Sequence, residues 1–177
     1  MNKHVFSTKR LCRAGIIAAL YVVLTYVFAP LAFGPLQIRP AEALCLLVLM
    51  YPEAIPALYV GCMLSNLTSP YVLFDVFLGS LATLLGALGT FAMGKMIKNT
   101  PLKIFLGGLF PIFTNAVIIP LIIVFLCGGS EGYASMWTAY FTYAGSIALT
   151  ETVWVYLLGT PIVLMIEKVT KKSTNEK

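Results

Sequence analysis

Apolar residues run along this chain in long blocks that break only at proline, asparagine, glycine and charged positions. The breaks leave six hydrophobic segments, at about 11–32, 40–50, 53–66, 72–97, 102–126 and 136–166, and these predict six helices. The second and third are short: at 1.5 Å per residue they reach only about 17 and 21 Å. Each either spans a thinned, protein-lined region, or the two together form a re-entrant hairpin. The expected fold is therefore an all-α membrane protein, a six-transmembrane-helix bundle forming a single domain over residues 1–177.

Composition supports a bilayer as the solvent. Hydrophobic residues make up 59% of the chain and charged residues only 11%, against roughly a quarter charged in a soluble domain. Lys3, Lys9, Arg10 and Arg13 precede the first apolar run, as in a signal peptide. The run at 14–33 is longer than a signal-peptide core and further spanning blocks follow it, so a retained helix is expected.

The net charge of +5 does not point to nucleic acid, because the cations sit at the ends of hydrophobic blocks. They cluster at the N-terminus, at Lys95, Lys98 and Lys103, and at Lys168, Lys171 and Lys172. The positive-inside bias then predicts a multi-pass protein of the cell membrane with both termini cytoplasmic. Parity allows the two short segments to be either two crossings or one hairpin. With six crossings, the connections at 34–39, 68–71 and 128–135 face outside, and their aromatic, polar and flexible residues suit closure over a ligand.

Small residues mark helix contacts. Ala14 and Ala18, with Gly15 and Ala19 beside them, smooth one face of the first helix; Ala82, Gly86, Thr90 and Gly94 do the same on the fourth. The fourth-helix face is expected to pack within the bundle, and the first-helix face to pack there or to dock a partner.

Few polar residues interrupt the apolar segments, and each needs a partner, a cavity or an interface. Arg39 and Glu42, three apart, form either an intrahelical ion pair or ligand contacts. Glu53, in the turn Tyr51-Pro52-Glu53, can reach cytoplasmic water. Asn115 either satisfies the carbonyl freed by Pro120 or contacts a ligand. Glu151 sits deep in the last segment, with Trp154 and Tyr140 on or beside its helical face at offsets of three and eleven and Tyr143 near in sequence. A carboxylate among aromatics suits a planar ligand carrying hydrogen-bond donors.

Asp75 either places negative charge near a helix N-terminus or binds ligand. Asn66 either ends the third helix ahead of Thr68, Ser69 and Pro70 or belongs to the site. Trp137 and Tyr133 are either interfacial aromatics or ligand contacts.

Absent motifs exclude several chemistries. The sequence has no GxxxxGK[ST] loop, HExxH or GxSxG, and its single histidine, His4, lies in the tail. Cys12, Cys45, Cys62 and Cys127 show no CxxC or Cys/His spacing, so neither a metal site nor a disulfide is expected. A lone acid among aromatics also lacks the second acid or nucleophile that most reactions need, and no enzyme is expected.

The stretch FGPLQIRPAEALCLLVLMYPEAIPALYVGCMLSNL, residues 33–67, resembles the QueT family of substrate-binding subunits of energy-coupling factor transporters. The R-x-x-E-A-L element (Arg39, Glu42, Ala43, Leu44), the P-E-A-I-P element (Pro52 to Pro56) and Gly61 through Asn66 carry the resemblance. It implies a subunit that captures a queuosine precursor, a deazaguanine base, from outside. Delivery would need a transmembrane coupling subunit and two cytoplasmic ATPase subunits; ATP would be used by those partners, with no cofactor on this chain. Such subunits meet the coupling subunit through an A-x-x-x-A surface on the first helix, which Ala14 and Ala18 match.

A guanine-like base presents two donors that Glu151 can accept together, while Asn115 serves other polar edges. Trp154, Trp137 and Tyr140 are candidates for stacking, with Arg39, Glu42, Asn66 and Asp75 as further ligand contacts. The expected partners are this small molecule, the transporter subunits and membrane lipid, with no nucleic acid. Three rivals stay open: a vitamin such as thiamine, riboflavin or folate as ligand, an autonomous secondary transporter, and an intramembrane enzyme.

Overall fold

A computed structural model describes residues 7–32 and 37–175, without the side chains of 171–175. Lys3, His4, Phe33, positions 34–36 of the first outer connection and the Lys171 and Lys172 side chains therefore lie outside the described residues.

The described residues are helical, with no strand. Helix α1 covers Thr8–Val27 and is followed by a helical turn at Ala29–Ala32. Next come α2 at Pro40–Leu49, α3 at Ala54–Thr68, α4 at Val72–Met96, α5 at Thr100–Leu126 and α6 at Met136–Thr170. The last helix continues to Asn175.

Among the described residues, only α1, α4, α5 and α6 are long and apolar enough to cross a membrane; α2 and α3 are shorter apolar helices. The expected six spanning helices are corrected accordingly. Helix α2 is 3₁₀ along its ten residues, so at about 2.0 Å per residue it covers only about 20 Å, well short of the ~30 Å hydrocarbon core.

Every residue from Pro40 to Val48 is buried, which is how a helix apolar on all sides comes to lie inside a bundle. Three residues per turn stack Arg39, Glu42, Cys45 and Val48 in one row. This winding sets the polar residues of α2 on a single line.

The small face of α4 meets α5, as expected for packing. A β-carbon on Gly86 would stand 2.8 Å from Pro111 Cα and 2.9 Å from Thr114 Oγ1. Pro111 has no N–H for the Gly107 carbonyl one turn earlier, and Thr90 Oγ1 donates to that carbonyl at 2.8 Å instead. Gly86→Val is therefore expected to destabilise the protein by about 1–3 kcal/mol through overpacking, seen as a lower unfolding midpoint in detergent. An unchanged midpoint would mean that α4 and α5 do not meet here.

Ala14 and Ala18 are half-buried against the core shared by α1, α2 and α3. A β-carbon on Gly61 would lie 3.1 Å from the Ala18 carbonyl oxygen. The small face of α1 thus serves α3 through these two alanines, and Gly15 and Ala19 are the exposed members of the group. Glu53 is half-buried and paired with Arg13 at 2.5 Å, and the Arg13 guanidinium lies 3.9 Å over the Tyr51 ring.

Each of α4, α5 and α6 contains one π-helical stretch, at Asp75–Gly79, Ile122–Leu126 and Val155–Gly159. The last runs up to Thr160 and Pro161, where the helix loses an N–H donor. A β-carbon on Gly159 would sit 2.7 Å from the Ala43 carbonyl oxygen, so only glycine lets α6 lie this close to α2.

Candidate functional site

Six of the sequence candidates gather in the interior although they come from separate segments. Arg39, Glu42, Asn66, Asp75, Asn115 and Glu151 are each 5% exposed or less. Exposed positions on the same helices carry large apolar side chains such as Leu73, Phe77, Phe113 and Leu149. The helices turn apolar residues to lipid and enclose a polar layer, because an uncompensated charge facing hydrocarbon is costly.

Part of that layer is saturated. One Glu42 oxygen accepts from the Tyr21 hydroxyl at 2.5 Å and from Thr83 Oγ1 at 3.3 Å, and the other accepts from the Cys45 thiol at 3.1 Å. Thr83 and Asn66 both reach Cys62 Sγ at 3.4 Å. Asn66 caps the main α-helical part of α3, as expected for a terminating residue, and also donates to the Asp75 carbonyl at 2.7 Å. The Asp75 carboxylate accepts from Ser69 Oγ. Asp75 stands in the first turn of α4, where the π-helical stretch begins.

Arg39 Nε donates to the Ala32 carbonyl at 3.4 Å. Its guanidinium stands near enough to Glu42, Asp75 and Glu151 for their charges to interact.

The second part of the layer is not saturated. Asn115 Nδ2 donates to Glu151 Oε1 at 2.7 Å, joining α5 to α6. Asn115 therefore serves Glu151 rather than the carbonyl freed by Pro120. The other Glu151 oxygen and the Asn115 amide oxygen are buried with no hydrogen-bond partner. Buried polar groups are nearly always paired, so two adjoining orphan acceptors mark the place in the layer with capacity for an incoming donor.

The aromatic candidates do not all converge there. Trp154 is half-buried and packs at 6.1 Å against Phe28, just past α1. Tyr140 donates to the Val117 carbonyl at 3.4 Å. Trp137 is 62% exposed and joins Tyr140, Phe125 and Phe141 in an aromatic cluster with ring centroids 5.3–6.3 Å apart. A helical wheel puts Tyr140 beside Glu151, but eleven residues are about 16 Å of rise, and the fourteen to Trp137 about 21 Å. Tyr133 packs against Tyr143 at 5.8 Å.

The sequence profile of the QueT transporter family matches residues 11–168. The chain belongs to the QueT transporter family. The match takes in α2 to α5 whole, most of α1 and α6, and every candidate site residue named above.

The family member described as a queuosine precursor transporter, QueT, from Lactococcus lactis subsp. cremoris (strain MG1363) is 39% identical over 71 residues. That alignment covers 39% of this chain and 41% of the relative. No solved structure matches the chain.

Four buried residues, three of them in the polar layer, escape a reading of the sequence. Tyr21 continues the Ala14/Ala18 face one turn on and Thr83 adjoins Ala82, so spacing from the small residues was the available signal. Cys45 lies three after Glu42, meaningful only once α2 is known to be 3₁₀. Gln37 is buried, takes the left-handed φ of +49°, and has an unpartnered side-chain oxygen; no pattern announces it.

Tyr21→Phe should cost about 1–3 kcal/mol, because removing the donor leaves a buried acceptor short of a partner. Thermal unfolding in detergent checks this, and an unchanged midpoint would show that the hydroxyl does not support Glu42.

Proposed function

We propose that this chain is the substrate-binding subunit of an energy-coupling factor transporter. It captures a queuosine precursor, a deazaguanine base, from outside the cell. A transmembrane coupling subunit and two cytoplasmic ATPase subunits deliver the cargo, with both termini of this chain on the ATPase side. The observation that carries the reading is the pair of unpartnered acceptors on Glu151 and Asn115. A guanine-like base offers adjacent N–H donors on one edge, and a carboxylate accepts two such donors well.

Burial adds to the strength of the contact. Glu151 is 1% exposed and Asn115 2%, so a bound donor would not compete with water, and hydrogen bonds to charged groups contribute about 1.5–3 kcal/mol each. At that burial the helices must part to admit a ligand. A site that opens only for cargo favours the state that holds it.

The family match and the queuosine-precursor description of the Lactococcus relative support the class of cargo. Because that relative is aligned over less than half its length, the cargo and partners of this chain stand as the proposal.

Calorimetry with purified protein should show saturable binding of a deazaguanine base and none of thiamine, riboflavin or folate. Heat from a vitamin alone would replace the cargo. Vesicles holding only this chain should accumulate no substrate, and accumulation driven by an ion gradient would replace the mechanism with secondary transport.

A further inference from the structure

A groove of about 490 Å³ crosses α5 between α4 and α6, lined by Met93, Leu106, Phe110, Phe113, Ala116 and Ala148 among other apolar residues. On α5, Leu106, Phe110 and Phe113 follow one another at helical spacing, and Lys103 continues the same row three residues toward the helix start. From Leu106 to Ala116 the groove runs about 15 Å along the axis, the depth of one leaflet of a ~30 Å hydrocarbon core. Its cationic end and its length match a lipid standing in that leaflet.

The charge at that end is one-sided. Lys95, Lys98 and Lys103 are the only charged residues between Asp75 and Glu131. Lys95 and Lys98 are exposed and Lys103 half-buried. Lys95 Nζ lies 4.4 Å over the Phe91 ring. The acid near the start of α5, Glu167, lines a different groove with Thr100, Pro101 and Phe105.

We propose that the α5 groove binds an anionic phospholipid, with one acyl chain along Leu106, Phe110 and Phe113 and the phosphate at Lys103 and Lys98. Zwitterionic lipid fills the same groove less well, because its headgroup cation opposes the lysines. The chain end reaches Ala116 and Ala148, which adjoin Asn115 and stand one turn from Glu151. The lipid therefore packs against the two helices that carry the unsaturated pair. This site stands whatever the cargo is.

Native mass spectrometry of the detergent-purified protein tests it, with phosphatidylglycerol or phosphatidylcholine of identical chains added in turn. Phosphatidylglycerol should be retained preferentially, and Lys103→Gln should cut that preference roughly fivefold, the effect of about one lysine at a membrane surface. Ala116→Phe, which fills the groove, should lower retention of both lipids. Equal retention of the two lipids, or a preference untouched by Lys103→Gln, overturns the proposal.

Discussion

Glu151→Gln should weaken capture of a deazaguanine base by more than about tenfold and raise the thermal stability of the empty protein. The two effects share one cause. In the empty structure one carboxylate oxygen and the Asn115 amide oxygen have no partner. A side-chain amide at position 151 still accepts from Asn115 Nδ2 and puts an N–H donor where one of the two orphan acceptors stood.

Relieving orphan acceptors is worth about 1–3 kcal/mol of stability. The same change replaces an acceptor with a donor that repels the donor edge of the base. A residue that lowers stability while empty and raises affinity when occupied is a functional one. Calorimetry and thermal unfolding on one preparation read both effects. Unchanged affinity with raised stability would make Glu151 a core acid and remove the basis for the proposed site.

Glu42→Ala should behave in the opposite way, with a loss of about 3–5 kcal/mol that shows as poor yield or a much lower unfolding midpoint. Glu42 holds Tyr21 of α1, Thr83 of α4 and Cys45 of its own helix, so truncation strands the buried Tyr21 hydroxyl and Cys45 thiol and leaves Thr83 only its contact with Cys62 Sγ. The 3₁₀ helix that carries it is packed against α1, α3, α4, α5 and α6, and Glu42 itself is fully buried. A variant that unfolds at the parent temperature would show that the network is dispensable. Both residues are buried acids on helices, and only the partners they have in the empty state separate their expected roles.

That separation was invisible in the sequence. Spacing alone offers Arg39 and Glu42 as an ion pair or as ligand contacts, and Glu42 also takes partners 21 and 41 positions away. Asn115 was weighed against Pro120, five residues on in its own helix, and instead bonds Glu151, 36 residues away. Long-range partners enter in both cases, because a bundle brings side chains together at equal depth irrespective of their separation along the chain. Tyr140 shares a wheel face with Glu151 yet stands about 16 Å of rise from it, because angular position on a wheel says nothing about height.

The sequence by itself determined the solvent, the helical class, the boundaries of the long helices to within a few residues, and which polar residues would have to be explained. Hydrocarbon imposes those features segment by segment, since each block must satisfy its own backbone and hide its own charges. Only the tertiary structure decided that α2 is a buried 3₁₀ rod, that α1 uses Ala14 and Ala18 against α3, and which acid is left with an open oxygen. Those depend on how helices share depth and contact, a property of the assembled bundle that no single segment encodes.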